Sequence, residues 1–123
     1  MARGAGKPPQ SDRRSEILQG TLDLMVLRTL EQLGPMHGYG LAIRLEQLSG
    51  SAIRVTQGTI YLCLVRLVQK RWVTASWGTS ENNRRAKFYE LSKAGRKQLA
   101  IETESWERIV GVMGLVMRPV GGR

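Results

Sequence analysis

Apolar residues recur at helical spacing in four stretches of the chain. In the first, residues 21–33, they form one stripe with a second apolar face beside it, so we predict a helix buried on two sides. Thr21 is its predicted N-cap, Asp23 suits the positive end of the helix dipole, and Gly34-Pro35 marks its end. The stripe consists of Leu22, Met25, Val26, Leu30 and Leu33.

The next two helical stretches are separated by a few extended residues. We predict a second helix over residues 39–49, ended by Gly50, and then a short strand over residues 53–55. A third helix is predicted over residues 57–71, with Thr56 as its N-cap. One face of this helix carries Ile60, Cys63, Leu64, Leu67 and Val68, and the opposite face carries Leu62, Val65, Arg66 and Gln69.

Alternation with a period of two residues then predicts a β-hairpin. Its strands are residues 72–77 and 85–91, and a turn-rich loop joins them. Trp77 falls on the same side of the first strand as Val73. We therefore expect Trp77, like Trp72, to pack the hairpin onto the helices.

A long helix follows, from its predicted N-cap Ser92 to a stop at Pro119. Leu99, Trp106 and Met113 are seven residues apart, which is the spacing of a coiled-coil seam. This seam would be exposed in a monomer, and a second copy of the chain is the simplest cover. We therefore expect a homodimer.

This order of helices and strands supplies the parts of a winged helix-turn-helix. The predicted fold class is mainly α with a small β-hairpin, a winged helix-turn-helix with a long C-terminal dimerisation helix. We divide the chain into a flexible basic arm (1–16), a DNA-binding domain (17–91) and the dimerisation helix (92–118). In this architecture the third helix enters the major groove, and the wing, residues 77–88, contacts the DNA backbone or the minor groove.

The charge indicates a polyanionic partner. The 123 residues carry 19 basic and 10 acidic side chains, a formal net charge of +9. Residues 70–97 hold eight basic and two acidic side chains, so a net charge of +6 falls on the hairpin and its flanks. Charge and fold together favour double-stranded DNA. The alternative is an RNA- or ribosome-binding basic protein, which is disfavoured because exposed aromatic side chains for stacking are scarce.

Composition disfavours several other classes of protein. One cysteine and one histidine exclude a Cys/His metal cluster and an intrachain disulfide, so we expect no metal, no cofactor and a reducing cytoplasm, with the protein on the nucleoid. We find no apolar run long enough to span a membrane and no secretory signal. No acid–base pair or nucleophile arrangement indicates an enzyme.

Side chains for DNA contact are expected on the third helix and the wing. Arg66 is expected to donate two hydrogen bonds to a guanine or to clamp a phosphate, and Leu62 to touch a thymine methyl. The third-helix candidates are Gln57, Thr59, Tyr61, Leu62 and Arg66. The wing candidates, for phosphates or the minor groove, are Arg84, Arg85 and Lys87.

The start of the second helix adds a further candidate contact. His37 and Tyr39 precede or open this helix, whose N-terminal N–H groups either bind a DNA phosphate or belong to a purely structural turn. Cys63 is open to two interpretations, a redox sensor facing DNA or a buried small hydrophobe. Its helical angle places it near the core and favours the second.

With these residues in view, the chain resembles the PadR family of bacterial transcriptional regulators over about residues 17–117. The resemblance rests on an ordered set of motifs rather than on any single one. They are Gly20-Thr21-Leu22-Asp23, His37-Gly38-Tyr39-Gly40, Gln57-Gly58-Thr59-Ile60-Tyr61, Arg66-Leu67, Trp77-Gly78, residues 83–92 and Ala94-Gly95. It implies a homodimeric repressor, of the subtype with a single C-terminal helix. A dimer would place two third helices about 34 Å apart, which matches a pseudo-palindromic operator.

The resemblance also implies an interface and an effector site. Some members of the family hold flat aromatic ligands between tryptophans at the dimer interface, so Trp106 is the candidate for binding a small aromatic effector. The alternative for Trp106 is a packed interface anchor. The expected dimerisation residues are Leu22, Met25, Leu99, Trp106, Ile109, Val110 and Met113.

The third helix departs from the family pattern at four positions. Leu62-Cys63 stands where the family has Pro-Ala, Val68 replaces the usual Glu, and Arg71 replaces the usual Gly. The outward face of the helix is therefore less polar than the family pattern implies. This keeps open a second alternative, an interaction module that has lost the reading of DNA.

Overall fold

The computed structural model describes the backbone of residues 9–121 and the side chains of residues 20–121. Within that range the chain forms four helices and one small antiparallel sheet, which confirms the predicted fold class. The elements are α1 (Pro9–Leu33), β1 (Met36–His37), α2 (Gly38–Leu48), α3 (Gln57–Gln69), β2 (Val73–Thr79), β3 (Arg85–Leu91) and α4 (Lys93–Val116).

Helix α1 begins twelve residues before its predicted start at Thr21. It begins at Pro9, a residue that suits the first turn because the missing N–H has no helical acceptor there. Thr21 is therefore an interior residue of α1 and not its N-cap. The helix also runs through the second half of the predicted arm, and residues 1–8 of that arm lie outside the described residues.

The short strand predicted over residues 53–55 does not form. Gly50 and Ser51 both have a positive φ, and the Ile53 N–H donates to Ser49 Oγ at 3.0 Å, so this segment is tied to the end of α2. The sheet instead gains the two-residue strand β1, which pairs with Phe88 and Tyr89 of β3. Two residues are too few for alternation to predict a strand.

The hairpin is the outer part of a sheet with the strand order β1-β3-β2. Its register pairs Val73 with Leu91 at the base and Trp77 with Lys87 further out. The turn closes where the Ser80 N–H donates to Arg84 O at 2.8 Å and where Asn83 adopts a left-handed conformation. Asparagine tolerates the left-handed region better than most residues, so Asn83 suits this turn at the tip of the wing.

A single apolar core joins all four helices to the base of the hairpin. Helix α3 contributes the face predicted for it, with Ile60, Cys63, Leu64 and Leu67 all at most 1% exposed. The other buried apolar side chains come from α1, α2, β2, β3 and the first turns of α4. They are Leu22, Val26, Leu27, Leu30, Leu41, Leu45, Val73, Tyr89, Leu91 and Leu99.

The start of α4 is held against the connection between α3 and β2. Ser92 caps α4 as predicted, since its Oγ accepts from the Gly95 N–H at 2.9 Å. The same hydroxyl donates to Arg71 O at 2.7 Å, and the Ser92 N–H donates to Trp72 O at 3.0 Å. A Cβ at Gly95 would overlap the backbone oxygen of Trp72. Only a glycine therefore allows this close approach.

The same connection contains Arg71, where the resemblance implies a glycine. Arg71 has a φ of 65°, in the left-handed region that favours glycine. The Arg71 N–H donates to Val68 O and the Trp72 N–H to Leu67 O, which ends α3 and turns the chain into β2. Arg71 thus keeps the turn in an unfavourable backbone conformation for an arginine.

We predict that Gly95→Ala lowers the free energy of unfolding by roughly 1–3 kcal/mol, because the added methyl displaces the start of α4 from the hairpin. Urea unfolding followed by circular dichroism measures the change. Gly20→Ala is the matched control: it lies inside α1 with nothing within 4 Å of the new Cβ, so we expect a gain of about 0.5–1 kcal/mol. Equal stability of the two variants would contradict the close approach at Gly95.

Candidate nucleic-acid interface

Most of the predicted DNA-contacting residues surround one open cleft of about 950 Å³. Its walls are the start of α2, the first two turns of α3 and the inner side of the wing. Seven of the ten predicted residues line it, namely His37, Tyr39, Gln57, Tyr61, Arg84, Arg85 and Lys87. The fold therefore gathers side chains that are up to 50 residues apart in the sequence.

The outward face of α3 is carried by its first two turns. Thr56 caps the helix as predicted, since its Oγ accepts from the Thr59 N–H at 3.1 Å. Thr59 is exposed, and its hydroxyl lies 3.0 Å from the Thr56 hydroxyl. Tyr61 and Leu62 are 56% and 60% exposed, although both are large side chains. These turns present an amide, a phenol and an isobutyl group to solvent.

Arg66 is held by α1 rather than directed outward. Its Nη2 lies 2.8 Å from Asp23 Oδ1, in an ion pair that is only partly exposed. A guanidinium held in this way connects α3 to α1, so its contacts favour a structural role over the predicted base reading. The two residues are 43 positions apart on different helices, so helical spacing gives no signal for this pairing.

Cys63 shares the same carboxylate oxygen. Its thiol is fully buried and donates to Asp23 Oδ1 at 3.0 Å. Burial and then the hydrogen bond to Asp23 raise the pKa of the Cys63 thiol far above its ordinary range. Since the thiolate is the reactive form, this environment matches the predicted buried hydrophobe and not a redox sensor facing DNA.

His37 caps α2 with its side chain. The ring Nδ1 accepts from the Gly40 N–H at 3.0 Å, so one of the free donors at this helix N-terminus is already satisfied. The ring meets Phe88 edge-on at 5.6 Å and stacks on Tyr39 at 6.4 Å. These contacts support the structural-turn interpretation for His37, whereas Tyr39, 58% exposed, faces the cleft.

The wing differs from the prediction at Trp77. Its side chain is 59% exposed instead of packed on the helices, although Val73 on the same strand is buried. As predicted, Trp77 lies on the same face of β2 as Val73. At the outer end of the strand, however, this face borders the open cleft instead of a helix, so the indole stays exposed. Trp72 does pack against the core as predicted, with Lys70 Nζ 4.8 Å from its ring centroid.

The predicted dimerisation residues divide into two groups. Leu22 and Leu99 are 6% and 2% exposed within this single chain, so neither side chain is free to form an interface, and their assignment to the seam is wrong. Heptad spacing continues from Leu99, but α4 leaves the core after that residue. Met25 is half-buried, and the exposed members are Trp106, Ile109, Val110 and Met113. Val116, also expected in the seam, is exposed, and further exposed apolar side chains of this region are Ile101, Val112, Leu115 and Met117.

A second, more apolar cleft of about 400 Å³ lies on the opposite side of α1 from the Asp23 contact. It is bounded by α1, the end of α2 and the middle of α4. Leu24, Met25, Leu45, Leu48 and Trp106 supply its apolar wall. Trp106, predicted as the effector residue, therefore lines a cavity as well as belonging to the exposed face of α4.

Two classes of site are not found among the described residues. No helix there has the length and apolarity needed to cross a membrane. In the same part of the chain, no three His, Cys, Asp or Glu side chains are grouped so that they could bind a metal ion.

Comparison with known proteins shows which family has this arrangement. The model of the Transcriptional regulator PadR-like family matches residues 26–101. A transcriptional regulator from Clostridium thermocellum is similar in structure, with a TM-score of 0.74 at 21% identity, over 85% of this chain and 97% of that one. A PadR-like transcriptional regulator from Bacillus cereus gives a TM-score of 0.73 at 23% identity, over 85% and 99%.

A third similar structure contains nucleic acid. Bacillus subtilis PadR in complex with operator DNA gives a TM-score of 0.60 at 20% identity, over 68% of this chain and 46% of that one. At these identities, the three solved structures share the fold with this chain.

Proposed function

The chain belongs to the PadR-like family of transcriptional regulators, and on this premise we propose that it is a homodimeric repressor that binds double-stranded DNA. The observation that carries the proposal is the single cleft between α2, α3 and the wing, where exposed polar and basic side chains meet. The fold is shared with Bacillus subtilis PadR, which has been solved on operator DNA.

In the proposed complex, the first two turns of α3 enter the major groove. Gln57 and Tyr61 offer hydrogen-bonding groups to base edges, and Leu62 offers an apolar contact to a thymine methyl. Arg84, Arg85 and Lys87 bind phosphates beside the groove or enter the minor groove. Because Arg66 is ion-paired with Asp23, we assign the contacts to base edges to residues 57–62 rather than to Arg66.

We assign the dimer interface to the outer half of α4. Trp106, Ile109, Val110 and Met113 recur at spacings of three and four, so they share one face of the helix, and each is about half exposed. A continuous apolar face of this kind is uncommon on a monomer, and a symmetric partner buries it. A dimer also presents two copies of α3 to half-sites about 34 Å apart, which suits a pseudo-palindromic operator.

We further propose that the second cleft binds a small aromatic effector. The cleft adjoins the proposed interface through Trp106 and the DNA-binding domain through Leu45 and Leu48 of α2. An occupant therefore contacts both parts of the molecule, as a ligand that controls release from DNA must do. The flat indole and the aliphatic side chains around it suit a flat apolar ring.

We predict that the affinity for a duplex covering the promoter of its own gene exceeds that for a scrambled duplex by a hundredfold or more. With about six phosphates contacted per dimer, the slope of log affinity against log salt should be about −5. Fluorescence anisotropy over a salt series measures both quantities. Removing four of these contacts by Arg85→Ala with Lys87→Ala should reduce the slope to about −2 on both duplexes.

The control for that experiment removes the same charge elsewhere. Arg28→Ala with Arg118→Ala acts on α1 and beyond α4, away from the cleft, and should leave the slope near the wild-type value. Equal affinity for both duplexes and for RNA would support a general nucleic-acid binder instead. A chain that binds neither DNA duplex nor RNA would instead support the second alternative, an interaction module that has lost the reading of DNA.

We predict that Ile109→Glu with Met113→Glu produces a monomer, because two carboxylates per chain would be buried in the interface. Sedimentation equilibrium measures the mass, and circular dichroism checks that the helices persist. Arg108→Glu is the control on the opposite face of α4 and should remain dimeric. A wild-type chain that sediments as a monomer of 13.8 kDa would contradict the proposed interface.

A further inference from the structure

The exposed indole of Trp77 is the least expected feature of the wing. Large aromatic side chains gain most from burial, yet this one, in the outer half of β2, is 59% exposed. The proposed reading of bases by α3 and the phosphate contacts of the wing do not use it. Its position in the fold therefore needs another explanation.

Two cations lie over the same ring. Arg85 Cζ is 4.7 Å from the Trp77 ring centroid and Lys87 Nζ is 5.7 Å from it. Both distances fall within the range in which the ring's negative face attracts a cation. Trp77 thus contacts two of the three basic side chains assigned to the DNA backbone.

The strand register explains how one ring reaches both cations. Trp77 is paired directly with Lys87, and Arg85, two residues before Lys87 on β3, is its diagonal neighbour. Directly opposed residues of antiparallel strands project from the same face of a sheet, and diagonal neighbours are within reach of long side chains. The face in question is that of Val73, and all three side chains line the cleft beside Tyr61.

Holding the cations in this way changes what they can do. Free arginine and lysine side chains sample many rotamers and must be ordered when they bind a phosphate. A ring that contacts both restricts them beforehand and directs them towards the cleft rather than into solvent. Adjacent positive charges also repel one another, and the attraction of each cation to the indole ring offsets that repulsion.

We propose that Trp77 is a positioning residue that gathers Arg85 and Lys87 into one preformed phosphate clamp at the side of the cleft. The ligand of the clamp is the sugar-phosphate backbone of duplex DNA, so this inference rests on the proposed DNA-binding function. Trp77 acts through the two cations and adds no base specificity of its own.

The test combines a double-mutant cycle with a measurement on the free protein. Affinity for a scrambled duplex is measured by anisotropy for wild type, Trp77→Leu, Trp77→Phe, Arg85→Ala/Lys87→Ala and the triple variant. Trp77→Leu should weaken binding about tenfold, since the ordering of the cations lost at each of the dimer's two wings is worth roughly a factor of two to five. Trp77→Phe, which keeps a ring, should recover most of that loss. In the Arg85→Ala/Lys87→Ala background, Trp77→Leu should change the affinity less than twofold.

Proton NMR of the DNA-free protein tests the clamp independently. The Lys87 Hε and Arg85 Hδ signals should show upfield ring-current shifts that disappear in Trp77→Leu, while urea unfolding checks that the variant is folded. Absence of these shifts in wild type would overturn the clamp. An equal loss from Trp77→Leu in both backgrounds would overturn it as well, because the ring would then act on DNA or on the hairpin directly. A wild-type protein that binds no duplex would overturn the DNA-binding function and with it the clamp's role, whatever the NMR spectrum shows.

Discussion

Burial of one face of α3 is the constraint on which the rest of the interface depends. Ile60, Leu64 and Leu67 are almost completely removed from water. If α3 rotated about its axis or shifted along it, apolar surface would become exposed to solvent. Because the helix cannot rotate, its other face must point outward, with Tyr61 and Leu62 in solvent. The base of the wing is fixed by the same core through Val73 and Leu91, so the two sides of the cleft keep a defined separation.

Asp23 adds a polar connection to this apolar one. A single carboxylate oxygen of α1 accepts from the Cys63 thiol and from the Arg66 guanidinium, which ties α1 to two successive turns of α3. The next residues of α1, Leu24 and Met25, line the second cleft. In the proposed function, α1 is thus the element that an effector touches on one side and that holds the reading helix on the other.

The sequence predicted the parts of the fold that depend on local patterning. The cap at Thr56, the buried face of α3 and the cap at Ser92 follow from residue type and helical spacing, and each is confirmed. The cap expected at Thr21 and the strand expected at residues 53–55 are errors of local patterning. The other errors arise where distant elements decide. Trp77 has the right alternation but no helix opposite it, Leu99 has heptad spacing but lies inside the core, and Arg66 meets an aspartate 43 residues away. Most residues of the candidate site were nevertheless predicted. They lie on helices and strands, and the spacing of apolar residues indicates which side of each such element is exposed.

Hydrogen–deuterium exchange with and without a duplex tests the central claim most directly, namely that the cleft between α2, α3 and the wing is the surface that binds DNA. The account predicts that DNA slows exchange in peptides covering the wing tip at residues 80–85 and the start of α3 at residues 56–62. Peptides covering residues 104–117 of α4 should be unchanged at protein concentrations where the oligomeric state is constant. Protection confined to α4, with the wing tip and the start of α3 unaffected, would contradict the account.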